Sequence, residues 1–288
     1  MTTFLASYAA PKPLPRTRRV DPRAAGRIAP ATRWLAALVL FFLVDAVQLL
    51  LLLPDRTAEL FAWAIDPHAT SYALGAAYVA GAVFFAHVLR GGAWERVAAG
   101  FPPVIVFVWF AAGATALHLD RFTHDRLAFA AWAAIYLVAP VGLPLLVLAQ
   151  RRRAAPRRAG DPLPHAIRIV MLVAGGAVTA AGVLVFAAPQ LAADVWPWAL
   201  TPLTARVLAA VIALFGSLWL SVALHRDRAA ARIPLQAHAV GLAFLLLAAF
   251  RGHGDIAWSQ PLAPVLVAGV AGMLLLDVGM LVRTVRSR

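Results

Sequence analysis

The chain of 288 residues contains no cysteine. Disulfides, thiolate metal ligands and thiol nucleophiles are excluded together, and the redox compartment is left open. Charge is scarce as well: 14% of residues are charged, against about a quarter in a soluble domain. Hydrophobic residues make up 62% and the mean hydropathy is +0.79, which excludes an ordinary water-soluble enzyme. Also missing are the Walker phosphate loop, the dinucleotide glycine fingerprint, the serine nucleophile elbow and the zinc-protease helix.

What is present is a series of long apolar runs. Eight can be marked off: Trp34–Leu53, Ser71–Leu89, Phe101–Leu117, Leu127–Ala149, Ile169–Ala188, Val207–Leu224, Ile233–Phe250 and Leu262–Val282. Each is long enough to cross a hydrocarbon core of roughly 30 Å as a helix. The runs are continuous rather than alternating, which excludes barrel strands. Pro102 and Pro103 fall in the first turn of the third run, where proline is tolerated. Pro140 and Pro144 are expected to kink the fourth. Small residues four apart, Ala77 with Gly81 and Ala268 with Gly272, read as sites of close helix packing.

The charge that exists is one-sided. Lys and Arg number 26 against 13 Asp and Glu, a net charge of +13. With the N-terminus inside, 21 of the 26 fall in inner segments and five (Arg56, Arg121, Arg126, Arg206, Arg251) in outer ones. That bias predicts cytoplasmic N- and C-termini in the cell membrane, and nucleic acid is not expected as a partner. Residues 1–32, basic and proline-rich and without the pattern of a signal peptide, read as a disordered arm lying on anionic lipid headgroups.

A repeat runs through the chain. Arg33 and Arg168, Pro54 and Pro189, Trp63 and Trp198, Gly81 and Gly216, His118 and His253, and Asp120 and Asp255 are each separated by 135 residues. The expected architecture is all-α: an integral membrane protein of eight transmembrane helices built as a tandem, parallel duplication of a four-helix unit. Its parts would be the arm 1–32, a first unit 33–151, a cytoplasmic linker 152–167 and a second unit 168–288. Four crossings per unit return the chain to one side, so the units share an orientation about an axis along the membrane normal.

Few residues in this chain can do chemistry. His118, Asp120, His253 and Asp255 end the third and seventh spans at the outer face and are candidates for a catalytic pair, with a divalent metal the least favoured reading. Capping of the helix ends is the plainer account. Asp45, with Gln48 one turn on, and Asp277 lie inside spans, where carboxylates are costly and often mark a proton or substrate path. Asp277 could instead lean toward the nearby inner surface. Trp63, Trp196 and Trp198 read as interfacial anchors. His87 and His238 lie toward the inner ends of spans two and seven, and no facing histidine pair for haem is found. No cofactor is predicted.

The stretch Trp196-Pro-Trp198-Ala-Leu-Thr-Pro-Leu-Thr-Ala-Arg206 resembles a motif of uncharacterised polytopic membrane proteins of actinobacteria and similar bacteria. His118-Leu-Asp-Arg-Phe122, with Trp132, Tyr136 and Pro140, is similar to the matching feature of their first half. The resemblance implies a membrane location and no assigned activity. From the residues alone, the first expectation is a small-solute or ion permease with its site at the interface of the two units. The alternatives are a structural or assembly protein without catalysis, working with a protein partner or as a homo-oligomer, and an outward-facing His/Asp enzyme or metal site.

Overall fold

A computed structural model describes residues 26–154 and 161–286. Eight helices in it are long and apolar enough to cross a membrane. They are α1 (Pro30–Leu52), α2 (His68–Arg90), α3 (Phe101–Leu117), α4 (Leu127–Arg153), α5 (His165–Ala187), α6 (Pro202–His225), α7 (Arg228–Arg251) and α8 (Leu262–Arg286). No strand occurs among the described residues. The molecule is an all-helical, multi-pass protein suited to a lipid bilayer, the only solvent in which so much outward apolar surface is stable.

Most helices outrun the apolar stretches that announce them. α4 continues through Arg151, Arg152 and Arg153, and α7 begins at Arg228, because a helix can extend into the headgroup layer where arginine is at home. α1 opens on Pro30 and α6 on Pro202, whose missing N–H is one of the helix's orphan donors anyway. Thr201 and Thr204 close a reciprocal capping box on α6, and Asp227 accepts from the N–H groups of Ala229 and Ala230 on α7. α4 is continuous through Pro140 and Pro144.

α2 and α6 form the centre. Their apolar windows are 67% and 78% buried, whereas those of α1, α5 and α8 are 22%, 17% and 11% buried. α1 packs on α2 and α5 on α6. α2 also receives α7, while α6 receives α3; α4 then leans on α3 and α8 on α7. Each central helix therefore carries one neighbour from its own half and one from the other.

The α5–α6 contact is made backbone to backbone. A Cβ on Gly216 would stand 2.5 Å from Thr179 N, and one on Gly182 would stand 2.9 Å from Ala213 N. A Cβ on Gly81 would stand 3.1 Å from Leu43 Cδ1 of α1, in keeping with the small-residue reading of Ala77 and Gly81. The second pair behaves otherwise: Ala268 and Gly272 are exposed on α8, and a Cβ on Gly272 would meet nothing within 4 Å.

The same local contacts occur in both halves. Trp94 N donates to Gly26 O and Arg228 N to Asp161 O; Ile28 N donates to Gly92 O and Leu163 N to Arg226 O. Arg27 bridges Ala93 as Pro162 bridges Asp227. At the other end Thr123 N donates to Ala62 O and Ala257 N to Pro197 O. Arg33 Nε donates to Leu89 O, Arg168 Nε to Ala223 O. The chain is thus already packed from Gly26 onward. The rest of the predicted basic arm, residues 1–25, and residues 155–160 of the linker lie outside the described residues.

Candidate functional site

The most polar point of the interior lies where α6, α7 and α8 meet. Asp277 on α8 is wholly buried, and His238 on α7 and Trp219 on α6 are each 1% exposed. His238 Nδ1 lies 2.5 Å from Asp277 Oδ2, Trp219 Nε1 donates to Asp277 Oδ1 at 2.8 Å, and His238 Nε2 donates to Phe215 O at 3.1 Å. The depths match. His238 is ten residues from the Arg228 end of α7 and Asp277 nine from the Arg286 end of α8, about 14–15 Å at the helical rise. Gly241, one turn from His238, lets α7 settle against α2: a Cβ there would lie 2.7 Å from Ala80 Cβ and 2.9 Å from Phe215 Cζ.

Proton accounting follows from those partners. A backbone carbonyl can only accept, so Nε2 of His238 carries a hydrogen. One further proton then lies on the short Nδ1–Oδ2 contact, either on the imidazole or on the carboxyl. In both arrangements the pair is neutral overall, which is the condition for holding it in a low-dielectric interior. Losing that proton would leave a net buried negative charge, and gaining one would leave a net positive charge.

Asp277 does not lean to the surface, because its partner on α7 sits at its own depth. The sequence reading missed the roles of His238 and Trp219 in this cluster. A usable signal was present: counting inward from the arginines that end α7 and α8 places the histidine and the aspartate at one level. The positions 135 residues earlier are Phe84, Pro103 and Gly142, so this polar cluster belongs to the second half alone.

Asp45 and Gln48 are elsewhere. Both are exposed on the outer side of α1 and neither lines the α2–α6 centre. A cleft of about 330 Å³ opens at the arginine-rich end between α3, α4 and α6, lined by Pro102, Arg151, Ser217, Leu220, Ser221, Leu224 and His225. Ser217 and Ser221 look into it, whereas Phe215 and Trp219, two residues away on α6, turn to the opposite side where His238 lies.

The His-x-Asp motifs of the other end are not brought together. His118 Nε2 accepts from Arg206 at 2.6 Å, and Asp120 pairs with its exposed neighbour Arg121 at 3.1 Å. Asp255 Oδ2 accepts from Ala69 N at the start of α2, and the His253 ring lies beside Trp258. Among the described residues no three His, Asp or Glu converge where a metal ion could sit. The reason is a one-residue shift. His118 is the residue that closes α3 and the 3-10 turn follows as Leu119–Arg121; in the second half Gly252 closes α7 and the turn is His253–Asp255. Residues aligned in sequence thus occupy successive places in the turn and point differently. Burial, and then the Arg206 guanidinium, hold the His118 imidazole below its ordinary range, with Asp120 pulling the other way.

Trp63, Trp196 and Trp198 at this end face the protein. Trp63 is buried among Phe61, Phe122 and Trp132, Trp196 packs edge-on to Trp198, and Trp198 Nε1 donates to Thr70 Oγ1 at 2.9 Å. They fasten the loops of this end to the helix ends.

No protein-family model, curated protein or solved structure matches this chain.

Proposed function

We propose that the protein is a permease for a small solute or ion, with His238 and Asp277 as its protonation site. The observation that carries this reading is the buried His238 Nδ1–Asp277 Oδ2 contact, held inside the bundle by Trp219. Intramembrane carboxylate–histidine pairs are costly and are found where protons or ions must pass. The cleft on the other face of α6 lies at the arginine-rich end, which on this reading the charge bias puts in the cytoplasm of a cell whose plasma membrane holds the protein. The paired local contacts of the two halves and the 135-residue spacing support a tandem duplication of a like-oriented four-helix unit. On that reading the second unit has acquired the protonation site and the first keeps apolar packing at the corresponding place.

Asp277→Asn keeps the shape and an acceptor for Trp219 but cannot exchange a proton. In proteoliposomes loaded with a pH-sensitive dye and offered a panel of small solutes, the wild type should show solute-dependent proton movement that Asp277→Asn abolishes, with the variant still folded. Equal proton movement in both proteins would remove the assignment.

A second reading, a membrane scaffold without chemistry, draws on a specific observation too: each polar atom of the Trp219–His238–Asp277 cluster has a partner. It expects Asp277→Leu to lower stability by about 3 kcal/mol, as breaking a buried pair does, and Asp277→Asn to leave every cellular phenotype unchanged.

A further inference from the structure

α1 carries a seam that the rest of the described chain leaves uncovered. Trp34, Leu38, Phe41, Asp45, Gln48 and Leu52 follow one another at spacings of four, three, four, three and four residues, and all six are exposed. That period of 3.5 is the seam of a left-handed pair of helices. Its apolar members would be content in lipid. Asp45, within the 23-residue helix, and Gln48, one turn nearer its Leu52 end, would not be: a carboxylate facing hydrocarbon is among the least favourable placements in a membrane. Among the described residues neither side chain has a hydrogen bond or ion pair.

The protein contains its own control. On α5, the positions 135 residues on from Trp34, Leu38, Phe41, Asp45 and Gln48 are Ile169, Val173, Gly176, Ala180 and Val183. That peripheral face is apolar throughout, as a surface turned to lipid should be. Among the described residues the polar step in the α1 seam is therefore particular to that helix, and they hold one such seam.

We propose that this seam is a homodimer interface, in which α1 of a second copy lies parallel against it and the Gln48 amide of each copy donates to the Asp45 carboxyl of the other. The occupant follows from symmetry and complementarity. Copies inserted with one topology can meet through this face only about a two-fold axis along the membrane normal, which sets the seam against itself in register. Donor and acceptor then stand one turn apart and exchange across the axis, so each polar group satisfies its counterpart. One such seam closes the assembly at two. The inference stands apart from the permease reading and neither needs the other.

The absence of cysteine makes the test direct. Single-cysteine variants Leu38→Cys, Phe41→Cys and Leu52→Cys, oxidised in native membranes, should form a disulfide-linked species of twice the chain mass. Val173→Cys on the matching face of α5 should not. Adding Asp45→Leu and Gln48→Leu to Leu38→Cys should lower the cross-linked fraction about tenfold, while Asp45→Asn, which still hydrogen-bonds, should retain it. Both polar replacements remove groups from a lipid-facing surface, so the fold is retained and loss of cross-linking reports the interface. Absence of the double-mass species, equal cross-linking at Val173→Cys, an adduct of any other mass, or full cross-linking without Asp45 and Gln48 would each overturn the proposal.

Discussion

A guanidinium that donates to an imidazole needs the accepting nitrogen unprotonated, and the Arg206–His118 contact therefore has a pH dependence of known sign. The folded protein holds His118 below the ordinary histidine value of 6.5, so the unfolded chain takes up the proton first as pH falls. Stability from this contact is complete above the ordinary value and is lost as pH drops through the lowered one. Melting followed by intrinsic tryptophan fluorescence in detergent should show a smaller difference between pH 7.5 and pH 5 in His118→Gln than in the wild type. A repeated His-x-Asp was plainly readable at positions 118 and 253, yet its geometry was not. Whether two His-x-Asp tripeptides fall in the same place of a turn depends on a single residue in the preceding helix, and composition carries no record of that.

At the level of the helices, the apolar runs located all eight spans, since burial in lipid imposes a length and an apolar character on each. What faces a neighbour and what faces lipid was less legible. Gly216 and Gly272 look alike in sequence, each amid alanine, leucine or serine, but the first lies against Thr179 and the second against nothing. In lipid the outward face is as apolar as the inward one, so the periodicity that orients a helix in a soluble protein fades. The distinction is measurable. Gly216→Val should lower stability by about 3 kcal/mol by forcing α5 off α6, read as a drop in melting temperature. Gly269→Ala on α8, where a Cβ meets nothing, should change stability by no more than about 0.5 kcal/mol and raise it if at all. A comparable loss in both would mean that the α5–α6 approach is not as close as described.

Across the whole molecule, α3 lies on α6 and α7 lies on α2, so the core is shared between halves. Expressed in one cell as separate chains, residues 1–154 and 161–288 should assemble and be recovered together through a tag on either piece, whereas each piece alone should be degraded. Recovery of a stable, unaccompanied first piece would contradict the shared core. The charge count and the repeat spacing pointed to two four-helix units but not to this exchange of neighbours, because contacts between helices far apart in sequence are chosen by side-chain fit at the centre.

The exchange also sets an order on biosynthesis. Until α6 and α7 have left the ribosome, α2 and α3 lack the helices that cover them. Through the production of the first half and most of the second, the nascent chain must sit in the membrane with its future centre open to lipid or to the insertion machinery. The loop after α7 and then α8, which delivers Asp277 to His238, arrive later still. Quality control that recognises an unpaired histidine in the bilayer would thus have a natural signal, extinguished only when α8 has docked.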